Sequence, residues 1–152
     1  MNEKQIIRNL NSYYYGIMAL TVCAAVAFYL LVIKQVLPTV DPQSQIGQIA
    51  QYVTILDVLV TIPLGLWKHK RKCVKIAAIE DENSRLEAYR KSAMWRIIFV
   101  SNTMLFAFPL YYLLGGYMSM LWVAGIAAIG WYFTKPTERK TYFELHPQEE
   151  QY

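Results

Sequence analysis

The residue best suited to chemistry in this sequence is Asp57, the only charged residue between Pro42 and Trp67. An ionisable side chain inside a membrane-spanning stretch costs about 2.5–3.5 kcal/mol or more, and such residues commonly mark proton or ion pathways. Three polar side chains could complete a site around it: Thr54 and Thr61 on the same segment and Asn102 on a later one. One hypothesis is therefore a proton- or cation-linked site in a small oligomeric transporter or channel subunit.

The same four residues also allow a structural interpretation. Hydrogen bonds between polar side chains join membrane helices, at about 1 kcal/mol per contact. No lysine, arginine or histidine lies mid-span to pair with Asp57, and Asn102 is expected about one helical turn nearer the cytoplasm than Asp57, level with Thr61. Both interpretations stay open, and a non-enzymatic structural, assembly or interaction component is favoured over the transporter.

A run of basic residues directly follows the segment that holds Asp57. Anionic lipid head groups attract such juxtamembrane residues by roughly 1 kcal/mol each. The candidate head-group contacts are Lys68, Lys70, Arg71 and Lys72. The alternative is that the run only sets membrane topology. The net charge of +4 does not indicate nucleic-acid binding, because no soluble module with a basic face is expected.

Other chemistry finds little support in the residue pattern. His69 and His146 are far apart along the chain, which argues against a metal site formed by histidines. Cys23 and Cys73 lie on different spans or at different depths and are not expected to pair. Sequence motifs of hydrolases, metalloproteases and phosphate-binding loops are missing. We therefore expect no enzyme activity, no cofactor and no bound metal.

Apolar segments dominate the chain, which is 55% hydrophobic and 17% charged. A membrane-spanning helix needs roughly 20 mostly apolar residues. The uncharged run from Ile97 to Thr134 is long enough for two spans, and Gly115-Gly116 near its middle predicts a turn. The sequence predicts an all-α integral membrane four-helix bundle, a single membrane domain made of two helical hairpins. Its spans are expected at about 12–37, 46–67, 97–114 and 117–134.

The distribution of lysine and arginine predicts how these spans are oriented. Basic residues concentrate in the segment from about 68 to 96, with others in the N-terminal tail and in the tail 135–152. Basic loops stay in the cytoplasm. We therefore expect a multi-pass protein of the cell (inner) membrane with both termini and the segment 68–96 in the cytoplasm. The lipid bilayer is its first partner, and a second copy or another membrane protein is a possible further one.

Local signals predict helical structure outside the bilayer as well. Asp41-Pro42 is typical of the N-cap and first residue of a helix, here the second span. Ser84 to Glu87 fits a capping box, so a turn near 81–83 should divide 68–96 into a cytoplasmic helical hairpin. Residues 137–145 are expected to form a short amphipathic helix whose apolar side is Tyr142, Phe143 and Leu145.

Three features of the sequence carry a family resemblance. They are the segment 79–91, which includes Asp81-Glu82-Asn83, the segment that begins with Lys135-Pro136-Thr137-Glu138, and the paired-glycine turn. They resemble a family of small four-helix membrane proteins of bacteria whose activity is uncharacterised. The resemblance covers most of the chain. It implies the four-helix membrane architecture, and it implies no activity.

Overall fold

The computed structural model describes residues 3–146, and within that range it contains five α-helices and no strand. They are α1 (Glu3–Ile33), α2 (Gln45–Ala77), α3 (Glu82–Leu113), α4 (Met118–Tyr132) and α5 (Glu138–Leu145). By length and composition, α1, α2 and α3 could each cross a membrane, and α4 is a shorter apolar helix. The all-α prediction is confirmed, and the three long apolar helices suggest a membrane protein. Residues 147–152 of the predicted tail lie outside the described residues.

Helix α3 is the centre of the bundle, because α1, α2 and α4 all pack against it. We call the end that carries the turn between α2 and α3 the hairpin end. There the core is formed by residues from all five helices, among them Ile6, Cys73, Tyr89, Trp131 and Leu145. A second core cluster joins α2, α3 and α4 toward the other end of the bundle, around Val58, Ala107, Met120 and Ala124.

The expected helical hairpin between spans two and three is present, but its caps differ from those predicted. Helix α2 runs without interruption to Ala77, and α3 begins at Glu82. Asp81, rather than Ser84, is the N-cap, and its carboxylate accepts the Ser84 backbone N–H at 2.8 Å. Both residues can cap a helix, and the earlier one adds a further turn of helix to α3.

The start of α2 also differs from the prediction. Its N-cap is Ser44, whose hydroxyl oxygen accepts the Gly47 backbone N–H at 3.1 Å. The predicted cap, Asp41, instead accepts the Gln43 backbone N–H at 2.9 Å within the preceding turn. A carboxylate that bonds two residues ahead stabilises a turn in place of a helix start.

The predicted turn at Gly115-Gly116 is confirmed. It lies between α3 and α4, and the two glycines have φ angles of 65° and 80°. Side chains with a Cβ rarely adopt this left-handed region, so the paired glycines allow the chain to reverse between the two helices.

Candidate functional site

The predicted site around Asp57 is only partly assembled. The Thr61 hydroxyl donates to Asp57 Oδ1 at 2.8 Å, which joins two residues of the same helix. Thr54 is buried, and its hydroxyl donates to the Ala50 carbonyl at 2.8 Å. Asn102 is exposed on the outer side of α3 and does not meet Asp57, because the face of α3 that packs inward is made by neighbours such as Ser101 and Thr103. The other carboxylate oxygen of Asp57 is buried and has no hydrogen-bond partner among the residues that the structure describes.

The predicted head-group residues Lys68, Lys70, Arg71 and Lys72 are all exposed at the hairpin end of α2. The Arg71 guanidinium lies over the Trp67 ring, 4.0 Å from its centroid. Tryptophan favours the membrane interface, and arginine stacks well on aromatic faces. The geometry is compatible with the predicted contacts to lipid.

Among the described residues, a connected group of buried and half-buried polar side chains lies elsewhere, at the hairpin end. We call it the hairpin cluster. It joins α2, α3 and α5 through seven residues: His69, Cys73, Tyr89, Ser92, Arg96, Thr141 and Glu144. Within each helix these residues are three or four positions apart, the spacing that places side chains on one face. Three helix faces therefore converge on one buried volume.

Glu144 of α5 is the centre of this cluster. Its Oε1 accepts from Arg96 Nη1 at 2.8 Å, and its Oε2 accepts from the Tyr89 hydroxyl at 2.6 Å. His69 Nε2 lies 3.1 Å from the same Oε2. The Arg96 side chain is 2% exposed and that of Glu144 is 19% exposed. The ion pair is thus largely removed from water and is surrounded by further hydrogen-bond donors.

Contacts at both ring nitrogens of His69, Nδ1 and Nε2, fix the orientation of the imidazole. His69 Nδ1 lies 3.0 Å from Ser92 Oγ, and Cys73 Sγ lies 3.3 Å from Nε2. A neutral ring satisfies both sides when the Ser92 hydroxyl donates to Nδ1 and the Nε2 hydrogen is donated to Glu144. The imidazole is therefore held in one orientation between α3 and α5.

The protonation states of the hairpin cluster follow from its burial and its charges. Burial alone would raise the pKa of Glu144, but the hydrogen bond from His69, the Arg96 charge and the Tyr89 hydroxyl hold it at about 2. Burial lowers the pKa of His69. Burial, reinforced by the nearby Glu144 charge, raises the pKa of Cys73 to about 12. At neutral pH the cluster therefore contains one carboxylate, one guanidinium, a neutral imidazole and a neutral thiol.

The sequence interpretation missed this site, although one signal was present. His69 and Cys73 are four residues apart on a predicted helix, which places them on the same face. The prediction considered His69 only together with His146 and expected no metal site, because the two histidines are far apart along the chain. In the structure, His69 Nε2, Cys73 Sγ and a Glu144 oxygen all lie within 4.8 Å of one another.

The predicted apolar side of α5 agrees with the buried side at Leu145 but not at Tyr142. Tyr142 is exposed, whereas Thr141 and Leu145 are buried and Glu144 points into the hairpin cluster. A pattern based on hydrophobicity alone selects the large apolar side chains, and it cannot find a face that is buried by an ion pair. Only the three-dimensional structure brings Glu144 to Arg96.

Comparisons of the chain with protein-family models, with curated proteins and with solved structures gave no match. The proposals that follow therefore depend on the residues and the geometry of this chain alone.

Proposed function

We propose that the chain is a four-span inner-membrane protein that acts as a non-enzymatic structural, assembly or interaction component. The hairpin end and both termini face the cytoplasm, and α1 contacts another membrane helix. Three helices long and apolar enough to span a bilayer support the membrane assignment. The concentration of lysine and arginine at the hairpin end supports the orientation.

The fourth span in this proposal is α4. It has no charged residue from Met118 to Tyr132 and lies between the paired-glycine turn and the tail. Its 15 residues extend about 22 Å, which is shorter than a hydrocarbon core of about 30 Å. Local thinning of the bilayer and flanking aromatic residues can accommodate a short span. Trp122 and Tyr132 are exposed near its two ends, where such residues anchor a helix at the interfaces.

The outer surface of α1 carries the interaction proposal. Ala19, Cys23 and Ala27 recur every four residues, and small residues at this spacing allow two membrane helices to approach closely. All three are exposed, so none of the other helices between residues 3 and 146 covers them. Next to this stripe, a Cβ added at Gly16 would meet no atom within 4 Å. A helix from another chain can therefore pack closely against this stripe of α1. A second copy of this chain is the first candidate.

Site-specific photo-crosslinking in native membranes tests this contact. A photoreactive residue in place of Cys23 should give one discrete adduct, of the mass of a dimer if the partner is a second copy. Ala27→Leu should abolish the adduct because a larger side chain separates the helices. Val26→Leu, on an exposed neighbouring position, should leave it unchanged. Absence of an adduct, or an adduct that survives Ala27→Leu at normal protein abundance, would refute the contact.

A second function, proton- or cation-linked transport, is favoured by one observation: Asp57 Oδ2 is buried with no hydrogen-bond partner in the described part of the chain. Because four short helices rarely enclose a pathway, this function requires an oligomer. Asp57→Asn should then abolish pH- or ion-dependent flux in liposomes while abundance stays normal. If wild-type liposomes show no flux and Asp57→Leu only lowers abundance, the residue serves packing and the transport hypothesis fails.

A further inference from the structure

We propose that His69, Cys73 and Glu144 form a binding site for Zn²⁺ that links α2 to α5. The three side chains offer one nitrogen, one sulfur and one oxygen ligand, and two of them lie one helical turn apart on α2. Zinc accepts this mixture of donors and is commonly four-coordinate. The site is separate from the α1 surface, so the two proposals can fail independently.

The distances between the ligand atoms are close to those that a tetrahedral zinc ion requires. Bond lengths of about 2.0–2.3 Å place tetrahedral ligands about 3.3–3.6 Å apart. His69 Nε2 lies 3.3 Å from Cys73 Sγ and 3.1 Å from Glu144 Oε2. The third separation, from sulfur to carboxylate oxygen, is within 4.8 Å. The first two separations therefore lie within a few tenths of an ångström of the tetrahedral values, and ion binding would bring the sulfur and the carboxylate oxygen to a similar separation.

Surrounding residues already orient the three ligands. Ser92 Oγ lies 3.0 Å from His69 Nδ1, the nitrogen that faces away from the proposed ion. Arg96 and the Tyr89 hydroxyl hold the Glu144 carboxylate. Ligand histidines usually make such a hydrogen bond through their other nitrogen, which fixes the ring and its tautomer.

Binding of the ion changes the net charge of the hairpin cluster from zero, the Arg96–Glu144 pair, to +1. The Cys73 thiol loses its proton to solvent and becomes the thiolate ligand. The Nε2 hydrogen of His69 is lost while Nδ1 gains one, so the ring stays neutral and Ser92 changes from donor to acceptor. One thiolate and the Glu144 carboxylate then neutralise Zn²⁺, and Arg96 contributes the remaining positive charge. Binding therefore releases one proton in total.

The ligands can be reached from the surface. A cavity of about 470 Å³ is lined by all three of them together with Lys140 and Phe143. The Lys140 ammonium donates to the Phe133 carbonyl, which holds that charge on a backbone acceptor. The three protein ligands leave a fourth position of the zinc ion open for water on this side.

Cobalt absorption spectroscopy on the purified full chain in lipid nanodiscs tests the site. Co²⁺ replaces zinc in such sites, and a thiolate ligand adds a charge-transfer band in the near ultraviolet. We expect one equivalent of Co²⁺ to bind and Zn²⁺ to displace it. The band should persist in Cys23→Ser, whose thiol is exposed and distant along the chain, and disappear in Cys73→Ser.

Two further variants separate ligation from folding. Ser92→Ala keeps all three ligands and should weaken Co²⁺ binding by about 10-fold or more, because it removes the support of the imidazole. His146→Gln removes the other histidine of the chain and should leave binding unchanged. The site is refuted if Cys23→Ser shows no thiolate band, if Cys73→Ser retains it, or if Ser92→Ala binds as tightly as the parent chain.

Discussion

Replacing Glu144 with glutamine should release α5 from the hairpin end. The substitution keeps the shape of the side chain but removes the charge that faces Arg96, whose side chain is 2% exposed. Removing one partner of a buried ion pair costs about 3–5 kcal/mol, because the other charge stays buried without compensation. The Glu144 side chain is 19% exposed and a glutamine oxygen can still accept one hydrogen bond, so we expect about 3 kcal/mol.

This loss should appear as local opening of α5, with little effect on the remaining helices. Helix α5 has only 8 residues, and isolated helices of this length are not stable in water. Its position therefore depends on the contacts of Glu144, Thr141 and Leu145. A local opening free energy lowered by about 3 kcal/mol corresponds to amide exchange about 100-fold faster.

Hydrogen exchange measured by mass spectrometry on peptides that cover 138–146 gives the readout. Glu138→Gln, at an exposed position of the same helix, is the matched control and should change exchange little. Replacing both partners, with Arg96→Leu and Glu144→Leu together, should restore much of the protection, because no charge is then left buried. Exchange in Glu144→Gln that is less than about 3-fold faster than wild type would refute the role assigned to the ion pair.

Three smaller predictions concern packing and caps. Gly130→Ala should destabilise the bundle by about 1–3 kcal/mol in mixed-micelle unfolding, because the added Cβ would lie 2.6 Å from Ile62 Cδ1. The control Gly125→Ala should not destabilise it, because a Cβ at that position would meet no described atom within 4 Å. Ser44→Ala should cost about 1 kcal/mol in the same assay by removing the N-cap of α2, and an unchanged midpoint would contradict that role. Hydrogen bonds from the Ser84 hydroxyl and the Ser84 backbone N–H lower the pKa of Asp81. The Asp81 carboxylate therefore stabilises α3 above its unfolded-state pKa, and this stabilisation is lost as the pH falls through the folded-state pKa. Amide exchange at the start of α3, corrected for intrinsic rates, should show this acid sensitivity in wild type and lose it in Asp81→Asn.

Much of the fold could be predicted from the sequence, because it depends on local patterns. Long apolar segments specify long helices, and the paired glycines at 115 and 116 specify the reversal between α3 and α4. The helical hairpin followed from periodicity and capping residues. The exact caps could not be predicted, because Asp41 and Ser44, like Asp81 and Ser84, compete within a few residues and small differences in geometry decide between them.

The candidate site was harder to predict, since it depends on contacts between distant parts of the chain. Nothing local indicates that Glu144 of α5 meets Arg96 of α3, 48 positions earlier. Likewise, the helical spacing that connects Asp57 to Thr61 could be read from the sequence, whereas the outward orientation of Asn102 depends on how α3 packs. Intrahelical relations were therefore predictable, and the relations between helices were not.

The cytoplasmic placement of the hairpin end and of the C-terminal helix α5 is tested most directly by thiol labelling in intact cells. In a background without native cysteines, single cysteines replace Thr39, Ser119, Glu80 and Glu138, all of which are exposed. A membrane-impermeant reagent should label positions 39 and 119 in intact cells, and positions 80 and 138 only after the membrane is disrupted. Labelling of position 138 but not of position 80 in intact cells would show that α4 does not cross the membrane. Labelling of position 80 in intact cells would show that the orientation is opposite to the proposed one.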